Sequence, residues 1–106
     1  MLKTFTLRLT LGVGKYLLAD IRALLPAESV QFFSNELDEE WHYTLLCIHS
    51  DHSCSLIVSA ILVWLQLKRI RILIYRTATE HQDVSQCSAD ELFHLLSRPG
   101  AVLYLS

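Results

Sequence analysis

The sequence predicts an α+β fold of the ferredoxin-like class, a two-layer β-α-β-β-α-β sandwich with a C-terminal helix and strand extension. Two strand-like segments, 3–11 and 69–76, alternate apolar residues with polar ones. The most apolar segment, 54–67, has the length and composition of a helix. The chain has 106 residues with 52% hydrophobic and 19% charged content, so residues 1–106 are expected to form a single domain around one core.

The first strand and the first helix are predicted from the change in periodicity after residue 11. The apolar residues at alternate positions of the strand are Phe5, Leu7, Leu9 and Leu11. Gly12-Val13-Gly14 is expected to form a flexible turn between this strand and a helix over 15–25. Pro26 then ends the helix, because proline disfavours the helical conformation in the residue before it.

An acidic segment joins the two strands that are predicted over 28–35 and 41–49. Strand, charged connection and strand together indicate a hairpin with an acidic tip. A carboxylate cluster of this kind is more often a solvated loop or a docking surface for a basic partner than an acid–base or metal site, and the sequence does not decide between loop and docking surface. The residues expected to contact a partner are Glu36, Asp38, Glu39, Glu40 and Trp41.

The apolar segment 54–67 is expected to be a helix of the core. Its polar interruptions are Ser55, Ser59 and Gln66. These fall on one narrow side of a helix, so the rest of the circumference must be covered. The segment is shorter than the roughly 20 residues of a membrane span, and we expect a cytoplasmic protein without a membrane partner. Leu62 and Val63 flank the polar side, so either the C-terminal helix covers them or they form an oligomer or partner interface, with a homodimer as one form of it.

The last third of the chain is predicted to add strands and a short helix. The predicted strands are 69–76, 84–87 and a final strand or packed tail over 101–105. Ser88 followed by Glu91 has the spacing of a capping box, in which each residue satisfies a backbone N–H group at the start of a helix. A helix is therefore expected over 89–97.

Cysteine and histidine side chains are concentrated between residues 47 and 54. The candidate metal ligands are Cys47, His49, His52 and Cys54. Zinc binds thiolates and imidazoles, and a thiolate can also act as a nucleophile. The spacing lacks the two separated ligand pairs of structural zinc sites. The main prediction is a protein without cofactor, metal site or catalytic residue, and the alternative is a zinc-binding or cysteine-dependent protein centred on 47–54.

Nucleic-acid binding is not expected from this sequence. The formal net charge is −2, whereas nucleic-acid-binding proteins normally carry a basic excess. RNA-recognition domains have the predicted order of strands and helices, but aromatic residues form a motif on their open sheet face. Here Tyr75 is the one aromatic residue expected on that face, beside polar residues such as Thr6 and Arg8.

Residues 41–96 resemble a known family in the order of their segments. The segments are TLLCIHS, SLIVSAILVWLQLKR, IRILIY and SADELFHLL. In this order they resemble the effector-associated constant component family of bacterial conflict systems. The Gly-rich turn of that family is replaced here by residues 50–53. The resemblance implies a non-enzymatic adaptor that accompanies an effector, and it assigns no functional residue.

The predicted function is a non-enzymatic protein–protein interaction module of a bacterial conflict system. Its most concrete form is an immunity protein that neutralises a toxin by direct binding. Toxins that act on nucleic acids are often basic, and an acidic surface would speed their capture. The expected partner is therefore another protein with a basic surface, and a homodimer through 54–67 is a second expectation.

Overall fold

The computed structural model describes residues 3–35, 37–38, 40–75, 77, 79–98 and 100–106, and within them the chain forms one six-stranded mixed sheet and three α-helices. The strands are β1 (Thr4–Leu9), β2 (Val30–Ser34), β3 (Tyr43–Ile48), β4 (Ile72–Tyr75), β5 (His81–Asp83) and β6 (Val102–Leu105). The helices are α1 (Leu11–Leu24), α2 (Asp51–Gln66) and α3 (Ala89–Ser97), and a 3-10 turn, Ala27–Ser29, precedes β2. The α+β class is thus confirmed.

The strand order is β2-β3-β1-β6-β4-β5, so the prediction of a ferredoxin-like sheet is wrong in strand order and strand number. β1 and β2 each pair with β3 in antiparallel orientation, but β6 pairs with β1 in parallel and separates it from β4. The reason lies in the side chains of β6. Leu103 and Leu105 are buried beside Leu7 and Leu9, and a strand with one apolar face is covered best inside the sheet.

The helices cover the sheet face that carries Phe5, Leu7 and Leu9, and their buried side chains form one core cluster with that face. Each strand residue on this face is flanked by residues that point to the opposite side. We call the opposite side the open face. The sequence predicts that no segment spans a membrane. In the described part of the chain, no helix is long and apolar enough to cross a bilayer.

α1 begins at Leu11, four residues before its predicted start, so the prediction of a turn at Gly12-Val13-Gly14 is wrong. Thr10 explains the early start, because its side-chain oxygen accepts a hydrogen bond from the backbone N–H of Val13 at 3.3 Å and caps the helix. Gly14 is buried in the first turn against the ring of Tyr43, where a Cβ atom would collide with that ring. Gly14 therefore allows close packing of α1 on β3, and both glycines lie within the helix and not in a loop.

α2 begins at Asp51, because Ser50 and Ser53 form a capping box that the sequence showed only as a group of possible caps. The helix packs between α1 and α3. On the α1 side the indole Nε1–H of Trp64 donates to Asp20 Oδ2 at 2.8 Å. Leu62 is half-buried against the core, while Val63 is 53% exposed. The flanking helices thus cover most of the apolar circumference, and the homodimer stays a prediction.

In the C-terminal region, one predicted element is confirmed and another prediction is wrong. α3 spans the predicted residues, and the capping box of Ser88 and Glu91 is formed. The short strand predicted over 84–87 is wrong, because β5 lies earlier, at His81–Asp83. Asp83 ends this strand: its carboxylate accepts hydrogen bonds from both the backbone N–H and the hydroxyl of Ser85, and the following residues form a turn.

Candidate interaction surface on the open sheet face

The centre of the open face lies over β1, β6 and β4. The register places Arg8 beside Tyr104 of β6 and Thr44 of β3, and Leu73 of β4 is on the other side of Tyr104. Arg8 and Tyr104 are half-buried although no helix of the described chain packs on this side. Their partial burial comes from the connection between β2 and β3, which folds over them.

Asp38 anchors this connection to the sheet. Its Oδ1 atom accepts hydrogen bonds from the backbone N–H groups of Glu40, at 3.0 Å, and Trp41, at 2.8 Å. Its Oδ2 atom lies 3.3 Å from the guanidinium nitrogen Nη2 of Arg8. These contacts, with the hydrogen bond from Trp41 as the largest contribution, hold the pKa of Asp38 below its ordinary value. The acidic connection is therefore attached to the open face and is not a free hairpin tip.

An aromatic cluster, consisting of Trp41, Tyr75, His81 and Tyr104, covers the same region. The ring of Trp41 meets that of Tyr104 at a centroid distance of 4.8 Å and that of Tyr75 at 6.2 Å, both edge to face. Tyr75 and Tyr104 are 4.5 Å apart, and His81 is 5.3 Å from Tyr75. Trp41 is only 8% exposed and packs against the two tyrosines, which remain partly accessible.

Arg8 completes this arrangement. Its guanidinium carbon lies 6.0 Å from the ring centroid of Tyr104, and its Nε atom is buried without a hydrogen-bond partner among the described residues. The nearby hydroxyl of Tyr75 has a raised pKa, first through burial and then through the negative charge of Glu40. The surface thus combines tyrosine hydroxyls, one arginine and exposed acidic charge.

A cleft of about 320 Å³ adjoins the aromatic cluster where β4 and β6 separate. The register between these strands ends at Leu73 and Tyr104, so the next two pairs, Ile74 with Leu103 and Tyr75 with Val102, are outside the ladder. The residues that line the cleft are Ile74, Tyr75, Leu95, Arg98, Gly100, Ala101, Val102, Leu103 and Tyr104. The cleft gives the open face a concave region that can receive a side chain of a partner.

The predicted partner-binding residues have different environments. Glu40 is exposed, Asp38 is half-buried and hydrogen-bonded within the chain, and Trp41 is buried in the aromatic cluster. Glu36 and Glu39 lie outside the described residues. Their contact with a partner stays a prediction.

The candidate metal ligands at 47–54 are placed in two layers of the fold. Cys47 and Cys54 are both fully buried, while His52 is exposed in the first turn of α2. His49 contacts the edge of the Phe5 ring, and its Nε2 atom is 3.2 Å from the hydroxyl of Ser97. In the described ranges of the chain, no group of three or more histidine, cysteine or acidic side chains is arranged to hold a metal ion.

Burial also makes these two thiols poor nucleophiles. It raises the pKa of Cys47 to about 12, with a further contribution from Cys54, and it raises the pKa of Cys54 as well. The thiolate is the form of cysteine that attacks substrates and binds metals. The zinc-binding and cysteine-dependent alternatives therefore gain no support from this geometry.

The sequence interpretation missed Tyr104 as a surface residue. The segment 101–105 was expected to be a strand or a packed tail, without a place in the sheet. The alternation of Leu103 and Leu105 with Val102 and Tyr104 is the signal that identifies its two faces. Alternation alone did not reveal that Tyr104 would meet Tyr75 and Trp41, because that contact depends on which strands neighbour β6.

Comparison of the chain with protein-family models, with curated proteins and with solved structures gave no significant match.

Proposed function

We propose that this protein is a non-enzymatic protein–protein interaction module that binds its partner through the open face. The observation that carries the proposal is the aromatic cluster of Trp41, Tyr75, His81 and Tyr104, on a sheet face that no described helix covers. Tryptophan, tyrosine and arginine supply most binding hot spots, because each buries a large area at a small entropic cost.

The cluster is already rigid before a partner arrives. Trp41 is buried against both tyrosines, and the Asp38 hydrogen bonds fix the backbone that leads into it. A surface whose side chains are held in place loses less conformational entropy on binding. This preorganisation supports a binding role for Tyr75 and Tyr104.

Charge supports a partner with a basic surface. Arg8 is paired with Asp38, so its positive charge is offset within the chain, whereas Glu40 is exposed beside the cluster. The whole chain has a formal net charge of −2. With the resemblance of residues 41–96 to conflict-system adaptors, we propose that the partner is a basic toxin or effector and that binding neutralises it.

The proposal is tested with the product of the gene adjacent to this one in its genome, by co-expression and surface plasmon resonance. Glu40→Lys is expected to lower the association rate constant by roughly two- to tenfold, because the charge of a rim residue steers diffusional encounter. Asp90→Lys makes the same charge change at an exposed position of α3, in the helical layer, and is expected to leave the rate unchanged.

Substitution of a tyrosine of the cluster is expected to weaken binding more than Glu40→Lys does. Tyr104→Ala is expected to weaken the complex by about tenfold or more, as at a binding hot spot. Tyr16→Ala, which removes an exposed ring from the helical layer, serves as the control. Equal affinity of both variants, or a co-expressed product that does not bind, would contradict the proposal.

A further inference from the structure

The outer edge of β2 presents backbone groups that the sheet does not use. The N–H of Asn35 donates to the carbonyl of His42 at 2.7 Å, and this bond identifies which β2–β3 pairs are hydrogen-bonded. By alternation, Gln31 and Phe33 bond to β3. The residues whose backbone N–H and C=O groups point away from the sheet are Val30, Phe32 and Ser34. Val30 is 4% exposed and directly follows the 3-10 turn, so Phe32 and Ser34 are the residues whose outward groups can pair with another strand. We call Val30–Ser34 the β2 edge.

Two pockets lie side by side between α1 and the β2 edge. The first, about 300 Å³, is lined by Arg22, Leu25, Ala27, Val30 and Phe32. The second, about 190 Å³, is lined by Leu18, Arg22, Phe32, Phe33, Ser34 and Tyr43. One pocket is at the Val30 end and the other at the Ser34 end, with Phe32 shared between them. In an added strand, side chains two residues apart point to one face at a spacing of about 6.6 Å, which matches two neighbouring pockets.

The two pockets differ in chemistry. The Val30 pocket is lined mainly by aliphatic side chains. The Ser34 pocket also contains the hydroxyl groups of Ser34 and Tyr43, and Arg22 contributes to both pockets. The guanidinium carbon of Arg22 lies 4.7 Å from the ring centroid of Phe32, and the described residues supply no ion-pair partner for it. Arg22 is thus a positive charge held beside the edge by a cation–π contact.

We propose that the β2 edge binds an extended segment of the partner protein by strand addition, with an aliphatic side chain in the Val30 pocket and an acidic side chain, two residues away, in the Ser34 pocket. Main-chain hydrogen bonds to Phe32 and Ser34 supply affinity, and the two pockets supply specificity. Arg22 selects the carboxylate. This inference rests on the proposed function, because it describes how one segment of the same partner is recognised.

A second copy of this chain is the other occupant to consider, and charge argues against it. Self-pairing of β2 that uses its outward backbone groups brings Phe32 of one copy close to Phe32 of the other. Arg22 lies over Phe32, so the two arginines would approach each other without a described carboxylate between them. Like charges that are brought together at an interface are destabilising.

The test uses capped heptapeptides and nitrogen-15 NMR of the full chain. Peptide TTVTETT fits parallel addition and TTETVTT fits antiparallel addition, because the aliphatic residue must reach the Val30 end in each case. One of the two is expected to bind with a Kd below about 2 mM. Replacement of its glutamate by lysine is expected to weaken binding by about tenfold or more. If neither peptide binds, the inference is overturned.

Strand addition also predicts an alternating pattern on both sides. Bound peptide is expected to slow amide hydrogen exchange at Phe32 and Ser34 and to leave Gln31 and Phe33 unchanged, since these two already bond to β3. N-methylation of every second peptide residue is expected to abolish binding in one of the two possible sets only. Binding that is insensitive to both sets would show a side-chain contact without strand addition and would overturn the inference.

Arg22→Glu is expected to exchange the preference of the edge from the glutamate peptide to the lysine peptide. Arg71→Glu makes the same change at an exposed residue preceding β4, and it is expected to retain the original preference. If light scattering shows a dimer whose β2 amides are protected without peptide, the occupant is a second copy and the partner-segment inference is wrong.

The outcomes separate this inference from the proposed function. If Glu40→Lys and Tyr104→Ala weaken the partner complex while Arg22→Glu does not, the open face binds the partner and the β2 edge does not. If the acidic peptide binds the edge but no partner complex is affected by Tyr104→Ala, the edge inference stands on its own and the open-face proposal fails.

Discussion

The two edges of the sheet differ in ways that matter for binding. β2 has five residues, VQFFS, without a charged side chain, and α1 supports it from the core side. β5 has three exposed residues, HQD, and a polar turn follows it directly. An unpaired edge attracts other strands, and proteins discourage this with short edge strands and charged side chains. The β5 edge has both features, whereas the β2 edge has neither.

The difference supports the proposal that the β2 edge binds a strand of another protein. Phe33 is 53% exposed on it, and the register directs the backbone groups of Phe32 and Ser34 away from β3. At the other edge the carboxylate of Asp83 accepts two hydrogen bonds from Ser85, and the Ser85 hydroxyl accepts one from the backbone N–H of Ile72 in β4. The β5 edge is followed by a turn that the Asp83–Ser85 hydrogen bonds hold, whereas the β2 edge is flanked by two pockets and by Arg22.

The largest effect on the free energy of unfolding is expected from a substitution in α1, where the helix packs on Tyr43 next to the β2 edge. Gly14→Ala places a Cβ atom against the ring of Tyr43, which lines the Ser34 pocket. We expect a loss of about 1–3 kcal/mol in the free energy of unfolding, measured by urea denaturation, because overpacking forces the ring to move. Peptide binding at the edge should weaken as well.

Gly12→Ala is the matched control for this substitution. Gly12 lies in the same helical turn, and an added Cβ atom would meet no neighbouring side chain within 4 Å. The substitution should therefore be neutral or stabilising by up to about 1 kcal/mol, because alanine favours the helix more than glycine does. Equal destabilisation by both alanines would show that the contact with Tyr43 is unimportant.

A smaller effect is expected at the β5 edge. Asp83→Ala removes the acceptor for the N–H and hydroxyl of Ser85, and exposure limits the expected loss of unfolding free energy to about 1 kcal/mol or less. The hydrogen bonds from Ser85, side chain first, lower the pKa of Asp83. A lowered pKa stabilises the folded state above the unfolded-state pKa, and this contribution is lost as the pH falls through the folded-state value.

The difference between Asp83→Ala and the unsubstituted protein should therefore be full at neutral pH and shrink below about pH 4 in urea titrations. Glu80→Ala, at an exposed carboxylate in the preceding turn, is the control. A difference that is constant from neutral to acid pH would exclude an ionised Asp83 as the source of the stability.

The smallest effect on stability is expected from Gln31→Lys, an exposed position of β2. The free energy of unfolding should change by less than about 0.5 kcal/mol, while a lysine on the edge should reduce the association of the protein during heating, followed by light scattering. Gln86→Lys, in the turn after β5, adds the same charge near the β5 edge. If both lysines reduce association equally, net charge and not the open edge is responsible.

Local sequence signals predicted individual elements well. α3 and its capping box were predicted with their observed bounds, and the alternation of β1 identified its buried face correctly. Errors occurred where a distant contact overrides a local preference. Gly12 and Gly14 indicate a turn by propensity, yet Thr10 caps a helix there and Gly14 fits against Tyr43.

The candidate site was less predictable. Glu40 and Trp41 were selected from an acidic, aromatic segment, but the role of Asp38 as an anchor requires Arg8, which is distant in the sequence. Tyr104 joins the cluster only because β6 enters the sheet beside β1. The two pockets at the β2 edge likewise need α1 and β2 to be placed together.

The sequence by itself determined the α+β class, the bounds and capping box of α3 and the buried face of β1, because periodicity and capping act over a few residues. The tertiary structure decided the order of the strands, the aromatic cluster and the open β2 edge. Strand neighbours are chosen by packing between residues that are far apart in the chain, and no local pattern records that choice.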